Sequence, residues 1–254
     1  INIVSNGYIN ILNENDEIII SGLEHHSNIV PWQMMCEKTK SKLHVIPIDK
    51  NGELNINEFK KLASKNTKMV FLNHVSNALG IINPIEEIIK ISHENDAIVL
   101  VDGAQSAAHF NIGLQELDVD FFTASAHKLC GPTGVGFLYG KKELLENIEP
   151  LMGGGEMISE VTFEKTTYAD LPHKFEAGTP NISGVIAFGV ALDYMNNLGL
   201  DRIRKYEDEL LEYATSKLKE IDDLIIYGDI KNKTSVISFN ISGIHSYDIG
   251  SILD

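Results

Sequence analysis

Short, continuous apolar runs alternate with helical patterns over the first 140 residues, and this alternation constrains the fold more than any other feature. Segments with apolar residues at helical spacing separate several of these runs, which fall at 16–21, 42–48, 68–73, 97–101 and 119–123. Strands that are apolar throughout are typical of a parallel sheet covered by helices on both faces. We therefore predict an α/β fold with a mostly parallel central sheet, and a further strand at 134–139 that returns through the core.

The remaining segments predict helices and a change of character after residue 151. Helices are expected at 28–38, 57–64, 84–93, 185–198 and 200–221, with Ser27 or Asn28 as the cap of the first. The stretch 152–181 is rich in Gly, Thr and Glu and has room for a hairpin, and a strand is expected at 235–241. We predict a large domain at 1–184, a pair of interdomain helices at 185–223 and the start of a smaller α+β domain at 224–254.

Composition excludes several classes of function. The chain has 36 acidic and 21 basic residues and a formal net charge of -15, which disfavours binding to nucleic acids or anionic membranes. No apolar stretch approaches the roughly 18 residues of a membrane span. Two cysteines are too few for a disulfide framework and do not form a zinc motif, which favours a reducing, cytoplasmic location. We expect Cys36 in the core and Cys130 as a packing residue near the site.

Both ends of the sequence interrupt patterns. There is no initiator Met, and the last residues form an apolar periodic segment that stops without a cap or turn. We therefore expect an internal fragment of a longer protein. An organelle signal, for instance for a plastid, would then lie outside the sequence.

Polar side chains follow four of the predicted strands at the points where the strands end. Ligands of open α/β sheets bind just beyond the carboxyl ends of the strands. We therefore expect one crevice to collect the residues delivered there, namely His25, His26, Asn73, His74, Ser76, Asn77, Asp102, Gln105, Ser125, His127 and Lys128.

Each of these residues also has an ordinary structural interpretation. Asp102 could cap the next helix, and Asn77 could satisfy a turn. Lys128 could be solvated, and the histidine pair could lie on the surface or bind zinc, although no third ligand stands at suitable spacing. The glycine-containing stretch 131–134 could be an ordinary strand connection, since it lacks the Lys-Ser/Thr ending of a nucleotide-binding P-loop.

Pyridoxal phosphate would need these residue types together. It requires a lysine for its Schiff base, an acid against its ring nitrogen and donors for its phosphate. A carboxylate in contact with the pyridine nitrogen raises the pKa of that nitrogen by about 1–3 units. Asp102 ends a central strand, and Lys128 follows one predicted strand–helix–strand step later. These two residues could therefore hold opposite sides of one ring.

Six motifs then resemble a known family. VDGAQ at 101–105, SAHK at 125–128 and GPTGVGFLY at 131–139 are similar to class-V, fold-type I pyridoxal-phosphate enzymes. EHHSNIVPWQ at 24–33, HVSNALG at 74–80 and FEAGTPN at 175–181 resemble the SUF-type (group II) cysteine desulfurases. The resemblance extends over essentially the whole chain.

The resemblance implies a role for each matched residue. Lys128 would carry the cofactor and move the substrate Cα proton, and His25 would stack on the ring and exchange protons. Asp102 would pair with the ring nitrogen and Gln105 with the ring hydroxyl. Ser125 and His127 would bind the phosphate, and Asn77 would bind the substrate carboxylate. Thr179 would contact the phosphate of the other subunit's cofactor in a homodimer.

The implied reaction converts L-cysteine to L-alanine and passes a persulfide to a SUF-type sulfur acceptor for iron–sulfur cluster assembly. The family's nucleophilic cysteine matches neither Cys36 nor Cys130, so we expect the segment alone to be inactive. The alternatives are a selenocysteine lyase, a cysteine-sulfinate desulfinase, another class-V enzyme such as a kynureninase-like hydrolase, or a non-catalytic scaffold with the same fold. No metal site is predicted.

Overall fold

The computed structural model describes residues 1–254. The helices are α1 Asn2–Gly7, α2 Val30–Thr39, α3 Ile56–Leu62, α4 Ile85–His93, α5 Lys142–Asn147, α6 Ile182–Leu198, α7 Leu200–Leu218 and α8 Ser246–Leu253. The strands are β1 Glu17–Ser21, β2 Lys42–Ile46, β3 Thr67–Asn73, β4 Ile98–Asp102, β5 Phe121–Ser125, β6 Gly136–Gly140, β7 Ile158–Val161, β8 Thr166–Tyr168, β9 Leu224–Tyr227 and β10 Ser238–Ile241.

A six-stranded sheet forms the centre of the molecule, with the strand order β2-β1-β3-β4-β5-β6. The first five strands in this order pair in parallel, and β6 runs antiparallel to β5. This confirms the predicted α/β fold and its returning strand. The four strands expected to deliver polar side chains, β1, β3, β4 and β5, are neighbours in the sheet.

The continuous apolar runs are explained by the two faces of this sheet. Ile19, Val70, Val99 and Phe122 belong to one core cluster, and their sequence neighbours on the same strands belong to a second cluster, which includes Ile18, Phe71, Leu100 and Phe121. Successive side chains of a strand point to opposite faces, so a sheet that is covered on both sides needs apolar residues at every position. Trp32 of α2 stacks on Phe71 with ring centroids 3.4 Å apart.

Several local predictions were wrong. The predicted helix 28–38 begins two residues later, at Val30, because a short 3-10 turn at His26–Asn28 precedes α2, and neither Ser27 nor Asn28 caps α2. The fifth run begins its strand two residues late, at Phe121. The connection from β4 to β5 holds only a 3-10 turn, Ser106–Ala108, where we expected a helix.

The region after residue 151 contains the predicted hairpin, since β7 pairs antiparallel with β8. The two long helices are present as α6 and α7, and β9 pairs antiparallel with β10. The sequence patterns gave no indication of β9, α1 or α5. None of the helices is both long and apolar enough to cross a membrane.

Candidate active site

The ends of β1, β3, β4 and β5 enclose a cavity of about 270 Å³. Every residue given a cofactor or substrate role, except Thr179, lines it. Its walls are His25, Ser27, Asn73, Val75, Asn77, Asp102, Ala104, Gln105, Ser125, His127 and Lys128. The crevice expected from the strand ends is therefore present, because parallel strands bring residues far apart in sequence to one edge of the sheet.

Asp102 is the last residue of β4 and is only 7% exposed. Its Oδ1 accepts a hydrogen bond of 2.9 Å from the backbone N–H of Ala104. This is the turn-forming role that the sequence allowed as an alternative, and it fixes the carboxylate. Oδ2 has no hydrogen-bond partner in the chain, which leaves one oxygen of a buried carboxylate available to a ligand in the cavity.

Lys128 ends the 3-10 turn Ala126–Lys128, directly after β5. It is partly buried, and its ammonium group makes no hydrogen bond or ion pair with the protein. A tight connection holds this turn: Gly131 N–H donates to the carbonyl of Ala126 at 2.9 Å. A Cβ at position 131 would lie 2.9 Å from that same oxygen, so the close approach requires glycine.

His25 follows β1 and presents an exposed ring to the cavity. Its Nδ1 accepts from the backbone N–H of Ser27 at 3.2 Å and lies 2.8 Å from the Ser27 hydroxyl. A backbone amide can only donate, so Nδ1 is an acceptor and the neutral ring carries its proton on Nε2. The local turn thereby fixes the tautomer of His25 and leaves an N–H available as a proton donor.

A buried carboxyl behind the cavity was missed by the sequence analysis. Glu24 is 9% exposed and accepts hydrogen bonds from the Ser21 hydroxyl, from Asn28 Nδ2 at 2.6 Å and from the Asn73 backbone N–H at 2.8 Å. Trp32 Nε1 donates to Asn28 Oδ1 at 2.9 Å and extends the network into the core. The sequence signal was an acid just after an apolar strand, with an amide four residues later.

Glu24 ties the ends of two neighbouring strands together. It immediately precedes His25, and it accepts from Asn73, whose side chain also donates to the Leu23 carbonyl at 2.6 Å. Burial raises the pKa of Glu24 to about 7, although the hydrogen bonds from Ser21, Asn28 and Asn73 act in the opposite direction. The network fixes the floor of the cavity on the side of β1 and β3.

Three residues expected at this edge do not line the cavity, namely His26, His74 and Ser76, and Thr179, expected to act on the other subunit, does not line it either. His74 turns away and packs against Phe110, with ring centroids 5.6 Å apart, and burial lowers its pKa to about 4. Ser76 is buried inside its loop. Thr179 is exposed, three residues before α6.

The two cysteines differ in burial. Cys36 is 8% exposed and belongs to the core, as predicted. Cys130 was expected to pack but is exposed, so that prediction was wrong. Its backbone adopts a left-handed conformation with φ 58°, as part of the tight turn after Lys128. No group of three or more His, Cys, Asp or Glu side chains is arranged to hold a metal ion.

The polar groups of the cavity fit pyridoxal phosphate. The side chains of Gln105, Ser125, His127 and Lys128 form no hydrogen bonds within the protein, although they share one cavity with a buried carboxylate. Such groups need partners when they are desolvated. An amine for the aldehyde, a carboxylate for the ring nitrogen, and hydroxyl and imidazole groups for the phosphate meet that need with a single ligand.

Cavity size alone would not have located this site. A larger depression of about 740 Å³ lies between α7 and residues 229–233. It holds two ion pairs, since Arg204 pairs with Asp208 at 2.9 Å and Lys219 pairs with Asp229 at 2.7 Å. The smaller cavity is distinguished by its place at the ends of neighbouring strands, where an amine without a partner lies together with a buried carboxylate.

Comparison with known proteins identifies the family of the chain. The family Aminotransferase class-V matches residues 1–254, and the chain belongs to this family. It is 48% identical over 243 residues to a probable cysteine desulfurase of Halalkalibacterium halodurans, covering 96% of this chain and 60% of the relative. It is 47% identical over 256 residues to a cysteine desulfurase of Shigella sonnei, covering 100% and 63% respectively.

A solved structure of a cysteine desulfurase has a similar fold. The crystal structure of the Escherichia coli cysteine desulfurase CsdA superimposes with a TM-score of 0.95 at 35% identity, covering 100% of this chain and 63% of that one. The chain therefore spans about 60% of the length of the relatives it matches.

Proposed function

We propose that the protein is a pyridoxal-phosphate-dependent cysteine desulfurase that converts L-cysteine to L-alanine. One observation carries the proposal: an amine without a partner, Lys128, and a buried carboxylate with a free oxygen, Asp102, line the same small cavity. The similarity of the whole chain to cysteine desulfurases supports this choice among class-V activities.

Seven residues of the cavity would hold the cofactor and the substrate. Lys128 would bind the cofactor covalently, and Asp102 and Gln105 would bind the ring nitrogen and ring hydroxyl. Ser125 and His127 would bind the phosphate. When bound, the cofactor supplies a protonated ring that accepts negative charge from the substrate. Asp102 would keep that ring protonated, because a carboxylate in contact favours the cation.

The chain's own groups would then manage binding and proton transfer. The Asn77 amide would bind the substrate carboxylate at the rim of the cavity. The Lys128 amine would take up and return the proton on the substrate Cα. His25, with its proton on Nε2, would serve as a second donor. The substrate sulfur would leave as a persulfide on an enzyme cysteine that is neither Cys36 nor Cys130.

A homodimer is part of the same proposal. Thr179 would reach the phosphate bound by the other subunit, which requires the region around α6 to lie at the interface. This region is unusually apolar for a surface: Ile186 and Val190 are each 65% exposed, and Phe163 at the tip of the β7–β8 hairpin is fully exposed. Large exposed apolar patches are typical of protein interfaces.

The resemblance implies the sulfur acceptor, and the two cysteines favour the location. A SUF-type acceptor protein would receive the persulfide sulfur for iron–sulfur cluster assembly in the cytoplasm. The large domain at 1–184, the helices at 185–223 and the smaller domain starting at 224 would form the two-domain architecture of such an enzyme. Sulfur transfer to a purified SUF-type acceptor, measured with labelled cysteine, tests this part.

The decisive experiment compares Lys128→Ala with wild type in the full-length protein reconstituted with pyridoxal phosphate. We expect the visible absorbance of the lysine-bound cofactor to disappear and L-alanine formation from L-cysteine to stop. Lys142→Ala is the matched control, since Lys142 is an exposed lysine paired with Glu146. Unchanged colour in Lys128→Ala would contradict the proposal and favour a non-catalytic scaffold.

A substrate comparison separates the rival class-V activities. L-cysteine, selenocysteine and cysteine sulfinate should each be supplied to the holoenzyme, and L-alanine should be measured. We expect cysteine to yield a protein-bound persulfide along with alanine. Turnover of selenocysteine or the sulfinate alone would identify a lyase or desulfinase instead.

A further inference from the structure

The loop that carries Asn77 is built as a narrow hairpin after β3. Ser76 N–H donates to the Ile81 carbonyl at 3.0 Å, and Gly80 N–H donates to the Ser76 carbonyl at 2.8 Å. The buried hydroxyl of Ser76 also accepts from the backbone of Ala78 and Leu79, at 3.3 and 3.2 Å. These bonds define the shape of the loop, but Asn77 itself is exposed at the tip.

Residues 232–238, about 150 residues further along the chain, form hydrogen bonds to the outer edge of this loop. Thr234 donates to the Gly80 carbonyl twice, from its backbone N–H at 2.8 Å and from its hydroxyl at 3.2 Å. Asn232 and Ile82 exchange two bonds of 3.2 Å, one to each carbonyl. The Ser238 hydroxyl donates to the carbonyl of Ala78, the residue directly after Asn77.

The loop and the segment 232–238 are packed closely against each other. Thr234 is 1% exposed, and Lys233 beside it is 5% exposed. Gly80 has φ 72°, and a Cβ there would lie 2.9 Å from Val236 Cβ and 3.1 Å from the Thr234 carbonyl oxygen. A side chain at position 80 would therefore push the segment away and strain the backbone as well.

We propose that residues 232–238 position Asn77 for the substrate carboxylate, and that Thr234 and Ser238 thereby set the affinity for the substrate. This inference rests on the role proposed for Asn77. None of residues 232–238 lines the cavity, so they act through the loop as positioning residues. Residues 232–238 lie in the region after 223, which would be the smaller domain. A displacement of that domain would therefore also move the loop and change the position of Asn77.

The test uses three variants of the full-length holoenzyme: Ser238→Ala, Thr234→Val and the double variant. We expect KM for L-cysteine to rise about two- to tenfold in each single variant and further in the double variant, consistent with loss of individual hydrogen bonds. kcat and the absorbance of the bound cofactor should stay close to wild type. Thr234→Ser keeps the hydroxyl, so its KM should stay close to that of wild type.

Ser235→Ala is the matched control, because Ser235 is an exposed serine between the two positions and its hydroxyl makes no hydrogen bond. Hydrogen exchange gives a second readout that does not depend on turnover. Amides 76–82 should exchange faster in the double variant than in wild type, with 98–102 in β4 unchanged.

Two results would overturn the inference: unaltered KM and loop exchange in the double variant, or a fall in kcat with cofactor loss at constant KM. A wild-type protein that binds no cofactor and does not turn over cysteine would instead refute the proposed function. In that case the exchange measurement still decides whether the segment holds the loop.

Discussion

The regions before and after residue 150 differ in how far their apolar side chains are buried. Residues 1–150 form a sheet with a core on each face. After residue 150, the only buried apolar residues are Met157, Phe188, Ala191 and Met195. Both long helices of the later region carry exposed large apolar residues, for example Val190 on α6 and Tyr213 on α7, each 65% exposed.

This contrast separates two tasks. The first region supplies most of both core clusters, to which α6 adds Phe188, Ala191 and Met195, and it supplies every residue that lines the candidate active site. The second region presents apolar surface, which is costly to leave in water. We infer that the first region determines the chemistry, whereas the second determines association and substrate access. The following predictions test that division.

The largest effect is expected from loss of the ring partner in the first region. Asp102→Ala in the full-length enzyme should lower kcat by several orders of magnitude and weaken cofactor retention, because in the proposed site the ring nitrogen would lose its stabilising charge. Thr179→Ala, in the second region, should weaken cofactor binding much less, since it would remove one proposed neutral contact to phosphate. Activity and cofactor content measured side by side provide the check. Near-normal turnover in Asp102→Ala would show that the ring partner has been assigned incorrectly.

A pair of apolar substitutions should separate stability from association. Phe71→Ala removes a fully buried ring stacked on Trp32 and should lower the free energy of unfolding by about 3–5 kcal/mol. Val190→Asp should instead raise the dimer Kd at least about tenfold, because it would place a charge in the proposed apolar interface. Denaturant unfolding and sedimentation of both variants measure the two effects. A destabilised fold with intact dimers in Val190→Asp would contradict the division.

The smallest effect concerns the pH dependence of stability. Burial raises the pKa of Glu24 from 4.5 to about 7, so between these values the folded state binds more protons than the unfolded state. The contribution of Glu24 is therefore present at low pH and is lost as pH rises through about 7. Glu24→Gln should flatten this decline, a difference of roughly 1–3 kcal/mol.

Glu53→Gln is the control for this prediction, because Glu53 is an exposed acid far from the network. Chemical unfolding at several pH values between 4.5 and 8 gives the measurement. Parallel pH profiles for Glu24→Gln and wild type would show that Glu24 does not titrate in this range.

The sheet and most of the site could be predicted because their signals are local. Continuous apolar runs indicated buried parallel strands, and the polar residues at their ends, such as Asp102 and Lys128, indicated one shared edge. Helix starts were less predictable: His25 caps the 3-10 turn before α2 with its ring, and the expected caps Ser27 and Asn28 do not cap α2. The sheet itself positions His25, so tertiary context overrides the capping preference.

Periodicity and spacing along the chain are enough to specify the α/β architecture, the strand ends at the candidate site and the residue types available there. Which polar residues are desolvated, and which distant segments meet, is specified by the folded arrangement alone. It buried Glu24, exposed Cys130, turned His74 away from the cavity and placed Thr234 against Gly80. Burial and long-range hydrogen bonding depend on what packs around a residue, and the residues adjacent in sequence do not specify that packing.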